Sequence, residues 1–144
     1  MARWGLIPFW AKDAKIGFST INARSEELAS KPAFRESLKS RRCLIPANCF
    51  YEWQQVSPKE KQPFAIGMKD DQPCVFAGLW DRWKAPDGTL IESFTINTVP
   101  PNDLMKPLHD RMPCILGRKN YLRWLDPDEQ AKPPLGLCQL QDEN

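Results

Sequence analysis

The chain has 144 residues and a mass of 16.6 kDa, and 42% of its residues are hydrophobic and 26% charged. These values are typical of one folded domain with a buried core, and they exclude a chain that is disordered throughout. No apolar run reaches the roughly 18–20 residues that a membrane span needs, and Arg3 and Pro8 interrupt the N-terminus where a signal peptide would be apolar. The sequence predicts a cytoplasmic protein without membrane contact.

Charge is unevenly distributed along the chain. Residues 1–61 hold eleven Lys and Arg against six Asp and Glu, whereas residues 62–144 hold nine against twelve. A basic N-terminal half can attract phosphates, although an ordinary solvated surface explains the charges equally well.

The five cysteines are odd in number and form no C-x-x-C pair, and there is one histidine. We therefore expect reduced thiols and no metal site or cofactor.

Short strands bounded by proline, glycine and polar residues dominate the predicted secondary structure. In chain order they cover residues 4–10, 19–24, 43–53 with a bend at 46–48, 63–68, 74–83, 90–99 and 112–116. Residues 57–62 read as a polar loop, and Pro86-Asp87-Gly88 is the strongest hairpin signal. Pro32 opens one short helix, and residues 119–125 form another.

This pattern indicates an α+β fold that is mainly antiparallel β, with a barrel-like sheet and short flanking helices. Residues 1–125 are expected to form the domain. After Asp126 the chain becomes Pro-rich, acidic and poor in periodicity, so residues 126–144 are expected to be a loosely held tail.

The single histidine, His109, follows a double-proline loop and precedes a predicted strand. Loops at strand edges often carry catalytic residues, and an imidazole can move protons near neutral pH. A surface histidine with only a structural hydrogen bond is the competing interpretation.

Glu52 is unusual because glutamate is depleted in strands, and this one lies between aromatic residues. The two-residue period of a strand places it on the same face as Phe50, opposite Tyr51 and Trp53. Apolar surroundings raise the pKa of a carboxyl group and make it a usable general acid or base. If the side chain faces solvent instead, it has no such role.

Asn22 and Arg24 share a face of a predicted strand. An amide beside a guanidinium suits an oxyanion or a phosphate, although an Asx turn with a surface arginine has the same spacing.

Trp4, Trp10 and Trp53 lie near these polar residues in the sequence. Exposed tryptophans can stack on unpaired bases, whereas buried ones only fill the core.

Taken in order, the segments of residues 3–125 resemble the SRAP family, the SOS response-associated peptidases that shield abasic sites. The segments that carry the resemblance are 3–12, Ile21-Asn22-Ala23-Arg24-Ser25-Glu26, 41–47, Phe50-Tyr51-Glu52-Trp53, 62–64, 77–80, 94–98 and His109-Asp110-Arg111-Met112-Pro113. Each motif is weak alone, but their common order and spacing are specific.

The resemblance implies a single α+β domain that binds single-stranded DNA at an abasic site. In the family, removal of the initiator Met exposes a cysteine whose amine and thiol close a thiazolidine ring on the abasic sugar. The resemblance assigns acid–base and orienting roles to Asn22, Glu52 and His109. It assigns DNA contacts to Arg24, Arg111, Trp4 and Trp53. We expect a monomer.

The start of the sequence departs from the family pattern. Family members begin Met-Cys-Gly-Arg and reach the Arg-Trp-Gly segment after a long N-terminal portion, whereas here Met1-Ala2 leads directly into Arg3. The departure predicts a truncated form that keeps the pocket walls, lacks the nucleophilic cysteine and forms no covalent crosslink through it. Non-covalent binding of single-stranded DNA, cysteine peptidase activity on other proteins, and a poorly folded fragment are the alternatives.

Overall fold

Strand-forming residues alternate with turn residues over residues 1–129, the part of the chain that the computed structural model describes. The strands are β1 (Arg3–Trp4), β2 (Asn22–Arg24), β3 (Arg42–Ala47), β4 (Phe50–Ser57), β5 (Glu60–Ile66), β6 (Cys74–Lys84), β7 (Leu90–Val99) and β8 (Met112–Pro113). The helices are α1 (Arg35–Ser40) and α2 (Tyr121–Leu125), and 3-10 turns cover Ala14–Phe18, Ser25–Glu27, Arg118–Asn120 and Pro127–Glu129. Most of the predicted tail, residues 130–144, lies outside the described residues.

The larger sheet has the order β1-β7-β6-β3, and β2 and β8 also pair with β7. Strands β1 and β2 run parallel to β7, while the β6–β7, β3–β6 and β7–β8 pairs are antiparallel. The hairpin of β4 and β5 forms a separate two-stranded sheet. The predicted α+β class with mainly antiparallel pairing is confirmed. Within residues 1–129 the sheet is mixed and does not close into a barrel, because β3 pairs only with β6.

The first predicted strand, residues 4–10, is much shorter in the structure. Gly5 has a φ of +113°, which few residues other than glycine adopt, and the backbone leaves the sheet there. Leu6 and Ile7 are buried away from the ladder, and the Ile7 N–H donates to the Ser93 hydroxyl at 2.7 Å. Leu6 and Ile7 therefore lie in a buried irregular segment that follows the strand rather than in the strand itself.

The hairpin predicted at Pro86-Asp87-Gly88 is confirmed by a positive φ at Gly88 and by the Ala85 N–H bond to the Thr89 carbonyl at 2.8 Å. The loop predicted for residues 57–62 is wrong. Ser57 faces Glu60 across a two-residue turn, so the polar residues that follow belong to strand β5. Polar residues are tolerated in β5 because almost all of this strand is exposed to solvent.

A cluster of buried residues connects the larger sheet to both helices. Its members include Leu6, Ala23, Leu28, Leu38, Leu79, Val99, Met112 and Trp124. Because β2 and the end of β7 pack into this cluster through Ala23 and Val99, the polar side chains beside them are held on a rigid base. No helix within residues 1–129 is long and apolar enough to cross a bilayer.

Candidate functional site

A cavity of about 560 Å³ opens where β2, the end of β7 and the loop before β8 meet. Its polar lining includes Thr20, Asn22, Arg24, Lys31, His109 and Arg111. Apolar side chains of Ile16, Ala33 and Phe34 complete the wall. Three cationic side chains and a single carboxylate, Glu27, line the cavity, so it favours an anionic ligand.

Strand β2 presents Asn22 and Arg24 to the cavity. Ala23 between them is buried in the core, and the two polar residues are exposed on the opposite face, which is the shared face that the sequence predicts. The parallel register sets Arg24 opposite Thr98 of β7, another residue of the cavity lining. The amide and the guanidinium are therefore positioned by the backbone pairing of β2 with the central strand β7.

His109 is half-exposed at the cavity and is anchored through one ring nitrogen. Nδ1 accepts the Arg111 backbone N–H at 3.0 Å and lies 3.2 Å from the Asp110 carboxylate. Nδ1 also lies 3.2 Å from the Arg111 carbonyl oxygen, so the tautomer of the ring decides whether this nitrogen donates or accepts. The catalytic role predicted for His109 stays a prediction.

Arg111 connects the two sides of the cavity wall. Its side chain is only 16% exposed, and its NH2 group donates to the Thr98 carbonyl at 2.8 Å and to Glu26 Oε2 at 3.0 Å. Its other terminal nitrogen lies 3.3 Å from Glu26 Oε1, which makes the pair bidentate. Partial burial would raise the pKa of Glu26, but the Arg111 hydrogen bond and the charges of Arg111 and Arg24 lower it. The phosphate contact predicted for Arg111 stays a prediction.

The remaining sequence-predicted residues lie outside the lining of this cavity. Glu52 and Trp53 are on β4, where Glu52 is half-buried and Trp53 is 55% exposed, with the alternation that the sequence predicts. Trp4 is on β1, donates its indole N–H to the Ile21 carbonyl at 2.9 Å and stacks on Phe94. The structure thus brings together Asn22, Arg24, His109 and Arg111 in one place.

Sequence reasoning missed Lys31, Glu27 and Thr98 as cavity residues. Lys31 Nζ lies 2.9 Å from Glu27 Oε2, and this hydrogen bond lowers the pKa of Glu27 below its ordinary value. Their i, i+4 spacing is visible in the sequence, but it indicates only a local ion pair. The residues around Thr98 in the sequence contain no signal that strand β2 pairs with this part of β7.

None of the cysteines within residues 1–129 is among the residues that line this cavity. Cys43, Cys49 and Cys74 form no disulfide within residues 1–129, and Cys138 lies outside the described residues. Burial raises the pKa of Cys74 and raises that of Cys43 to about 12. A thiol held protonated is a poor nucleophile, which argues against Cys43 and Cys74 as peptidase residues. In the same part of the chain, no group of three or more His, Cys, Asp or Glu side chains could hold a metal ion.

We expect the buried Cys43 thiol to resist alkylation in the folded protein. Its pKa of about 12, against an ordinary value of 9.0, means about a thousandfold less thiolate at pH 8, since each pKa unit is tenfold. A short pulse of iodoacetamide at pH 8, followed by peptide mass spectrometry, measures this, with the urea-unfolded chain as the control. Equal labelling of Cys43 in the folded and unfolded chains would contradict it.

The fold and the cavity define a class: an α+β domain with a cationic cleft that carries an amide and a histidine at the strand ends. The family model for SOS response associated peptidase (SRAP) matches residues 1–143. The chain belongs to the SRAP family.

Relatives and solved structures agree with this assignment. The abasic site processing protein YoqW of Bacillus subtilis is 52% identical over 125 residues, which are 87% of this chain and 56% of the relative. The abasic site processing protein HMCES of Xenopus tropicalis is 35% identical and matches 86% of this chain and 44% of its own length. This chain therefore spans about half the length of these relatives.

A crystal structure from Bacteroides thetaiotaomicron superposes with a TM-score of 0.82 at 36% identity, covering 86% of this chain and 56% of that one. A second, from Bordetella bronchiseptica, has a TM-score of 0.81 at 30% identity and covers 98% of this chain and 72% of that one.

Proposed function

We propose that this chain binds single-stranded DNA at an abasic site and takes part in processing that site. The observation that carries the proposal is the convergence of Asn22, Arg24 and His109 in one cationic cavity. The two relatives described above are named abasic site processing proteins. The proposal extends that activity to a chain that spans about half their length.

The cavity chemistry suits a sugar-phosphate without a base. Phosphates on either side of the lesion carry the charge that Arg24 and Lys31 attract, and the ring-opened sugar presents an aldehyde that needs a hydrogen-bond donor. The Asn22 amide can donate such a bond, and His109 Nε2 can exchange a proton with the sugar oxygen near neutral pH.

Glu52 and the two tryptophans are proposed to act next to the cavity rather than within it. Trp53 and Tyr51 project from the exposed face of the β4–β5 hairpin, and Trp4 is half-exposed on β1. Exposed aromatic rings are stacking platforms for unpaired bases, which favours single-stranded over duplex DNA. The acid–base role that the resemblance assigns to Glu52 stays a prediction, because Glu52 is not among the residues that line the cavity.

Fluorescence anisotropy with an abasic single-stranded oligonucleotide, its intact counterpart and a duplex tests the proposal. We expect the abasic single strand to bind best and Arg24→Ala to reduce the salt dependence of binding by about one unit of slope. Arg82→Ala is the matched control, because Arg82 is exposed and ion-paired with Glu92 on a different part of the sheet. Equal affinity for abasic and intact strands would overturn the proposal.

The same samples report on covalent chemistry after denaturation. Without added reductant, we expect no denaturation-resistant adduct through a thiol, because no cysteine is among the described residues that line the cavity. We also propose that the chain acts as a monomer in the cytoplasm, where thiols stay reduced. Sedimentation velocity of the free chain measures its mass in solution and so tests the proposed monomer.

A further inference from the structure

Lys31 places a primary amine at the cavity that holds Asn22 and His109. It is the only lysine among the residues that line this cavity. Its side chain is 54% exposed, so a ligand can reach Nζ, and its partner Glu27 Oε2 lies 2.9 Å away. In the binding proposed above, Lys31 contributes only its positive charge.

The substrate class proposed above contains an aldehyde, which reacts with primary amines. We propose that Lys31 forms a reversible imine with the C1′ aldehyde of an abasic site held in the cavity. This inference rests on the proposed function, since it needs the abasic sugar to occupy the cavity.

The step balances with solvent water as the proton carrier. The Lys31 ammonium first loses a proton to water, because the hydrogen bond from Lys31 lowers the pKa of Glu27 and makes that carboxylate a poor base. The free Nζ lone pair then forms a bond to C1′ while the carbonyl π electrons move to oxygen, and return of a proton to that oxygen gives a carbinolamine. Loss of its hydroxyl as water leaves a protonated imine, so an ammonium and an aldehyde become an iminium and one water molecule. Hydrolysis reverses every step.

Lys39 shows what distinguishes Lys31. Lys39 on α1 is 55% exposed and lies 3.2 Å from Glu36, so its exposure and its ion pair closely match those of Lys31. Lys39 does not line the cavity. If imine formation depended only on an accessible amine, the two lysines would react alike. Proximity to a bound aldehyde is what favours Lys31.

Trapping with cyanoborohydride tests the inference, because this reductant adds hydride to the iminium and makes the C–N bond permanent. The chain is incubated with abasic single-stranded DNA, and the denatured adduct is quantified and mapped by peptide mass spectrometry. We expect the adduct at Lys31, with Lys31→Arg lowering its yield by about tenfold or more and Lys39→Arg leaving it unchanged. DNA binding of each variant is measured by anisotropy, and the adduct yield is expressed per DNA molecule bound, so that a change in affinity is not counted as a loss of imine formation.

The outcomes separate the two proposals. Binding of abasic DNA without a trapped adduct, or an adduct that maps to another amine, overturns the imine and leaves the proposed function standing. Loss of preferential binding to abasic DNA in the unsubstituted chain overturns both. Circular dichroism of Lys31→Arg confirms that the exposed substitution leaves the fold intact.

Discussion

Replacing Trp124 with alanine is expected to destabilise the domain by about 4 kcal/mol, the range measured when large buried aromatic side chains are removed. Trp124 on α2 is fully buried, and its indole N–H donates to the Cys43 carbonyl of β3 at 3.0 Å. The Arg42 guanidinium lies 5.7 Å from its ring centroid and donates to its backbone carbonyl. The substitution therefore leaves a cavity and also removes the indole hydrogen bond to the Cys43 carbonyl where α2 meets β3.

Urea unfolding followed by circular dichroism measures this loss, with the midpoint and slope fitted separately. Leu122→Ala is the matched control, because Leu122 is on the same helix and 82% exposed. It should change the free energy of unfolding by less than about 0.5 kcal/mol. A Trp124→Ala variant that unfolds at the midpoint of the Leu122→Ala variant would show that α2 does not stabilise the sheet.

Replacing Asp81 with alanine is expected to cost about 3 kcal/mol, because a buried partner is removed and its donors are left unpaired. Asp81 is 4% exposed, and Oδ2 accepts the Phe9 backbone N–H at 2.9 Å while Oδ1 accepts that of Arg82 at 2.7 Å. Arg41 Nε lies 3.3 Å from Oδ1, an ion-pair distance without hydrogen-bond geometry. This one carboxylate anchors the turn after Gly5 to the sheet.

Two other variants serve as controls for Asp81→Ala. Asp81→Asn keeps an oxygen acceptor for one N–H but removes the charge, so we expect a smaller loss than for alanine. Glu92→Ala breaks only an exposed ion pair with Arg82 and should cost less than about 1 kcal/mol. The explanation fails if Asp81→Ala and Glu92→Ala unfold at the same urea concentration.

Local sequence rules determined much of the fold and part of the site. Three predictions follow from interactions within a few residues. They are the hairpin at Pro86-Asp87-Gly88, the shared strand face of Asn22 and Arg24, and the shared strand face of Phe50 and Glu52. Turn chemistry and the two-residue period of a strand act over that range, so the sequence contains them without reference to the rest of the chain. The order of the motifs also identified the family.

Only the tertiary structure decided which of these residues meet. Arg111 reaches Glu26 across 85 positions, Asp81 accepts from Phe9 across 72, and β2 lies parallel to β7 beside Thr98. Lys31 becomes a cavity residue for the same reason, whereas Glu52 lies on a separate hairpin outside the cavity. Local periodicity places a side chain on a face but does not specify the distant strand that packs beside it, because that pairing depends on how the whole core is buried.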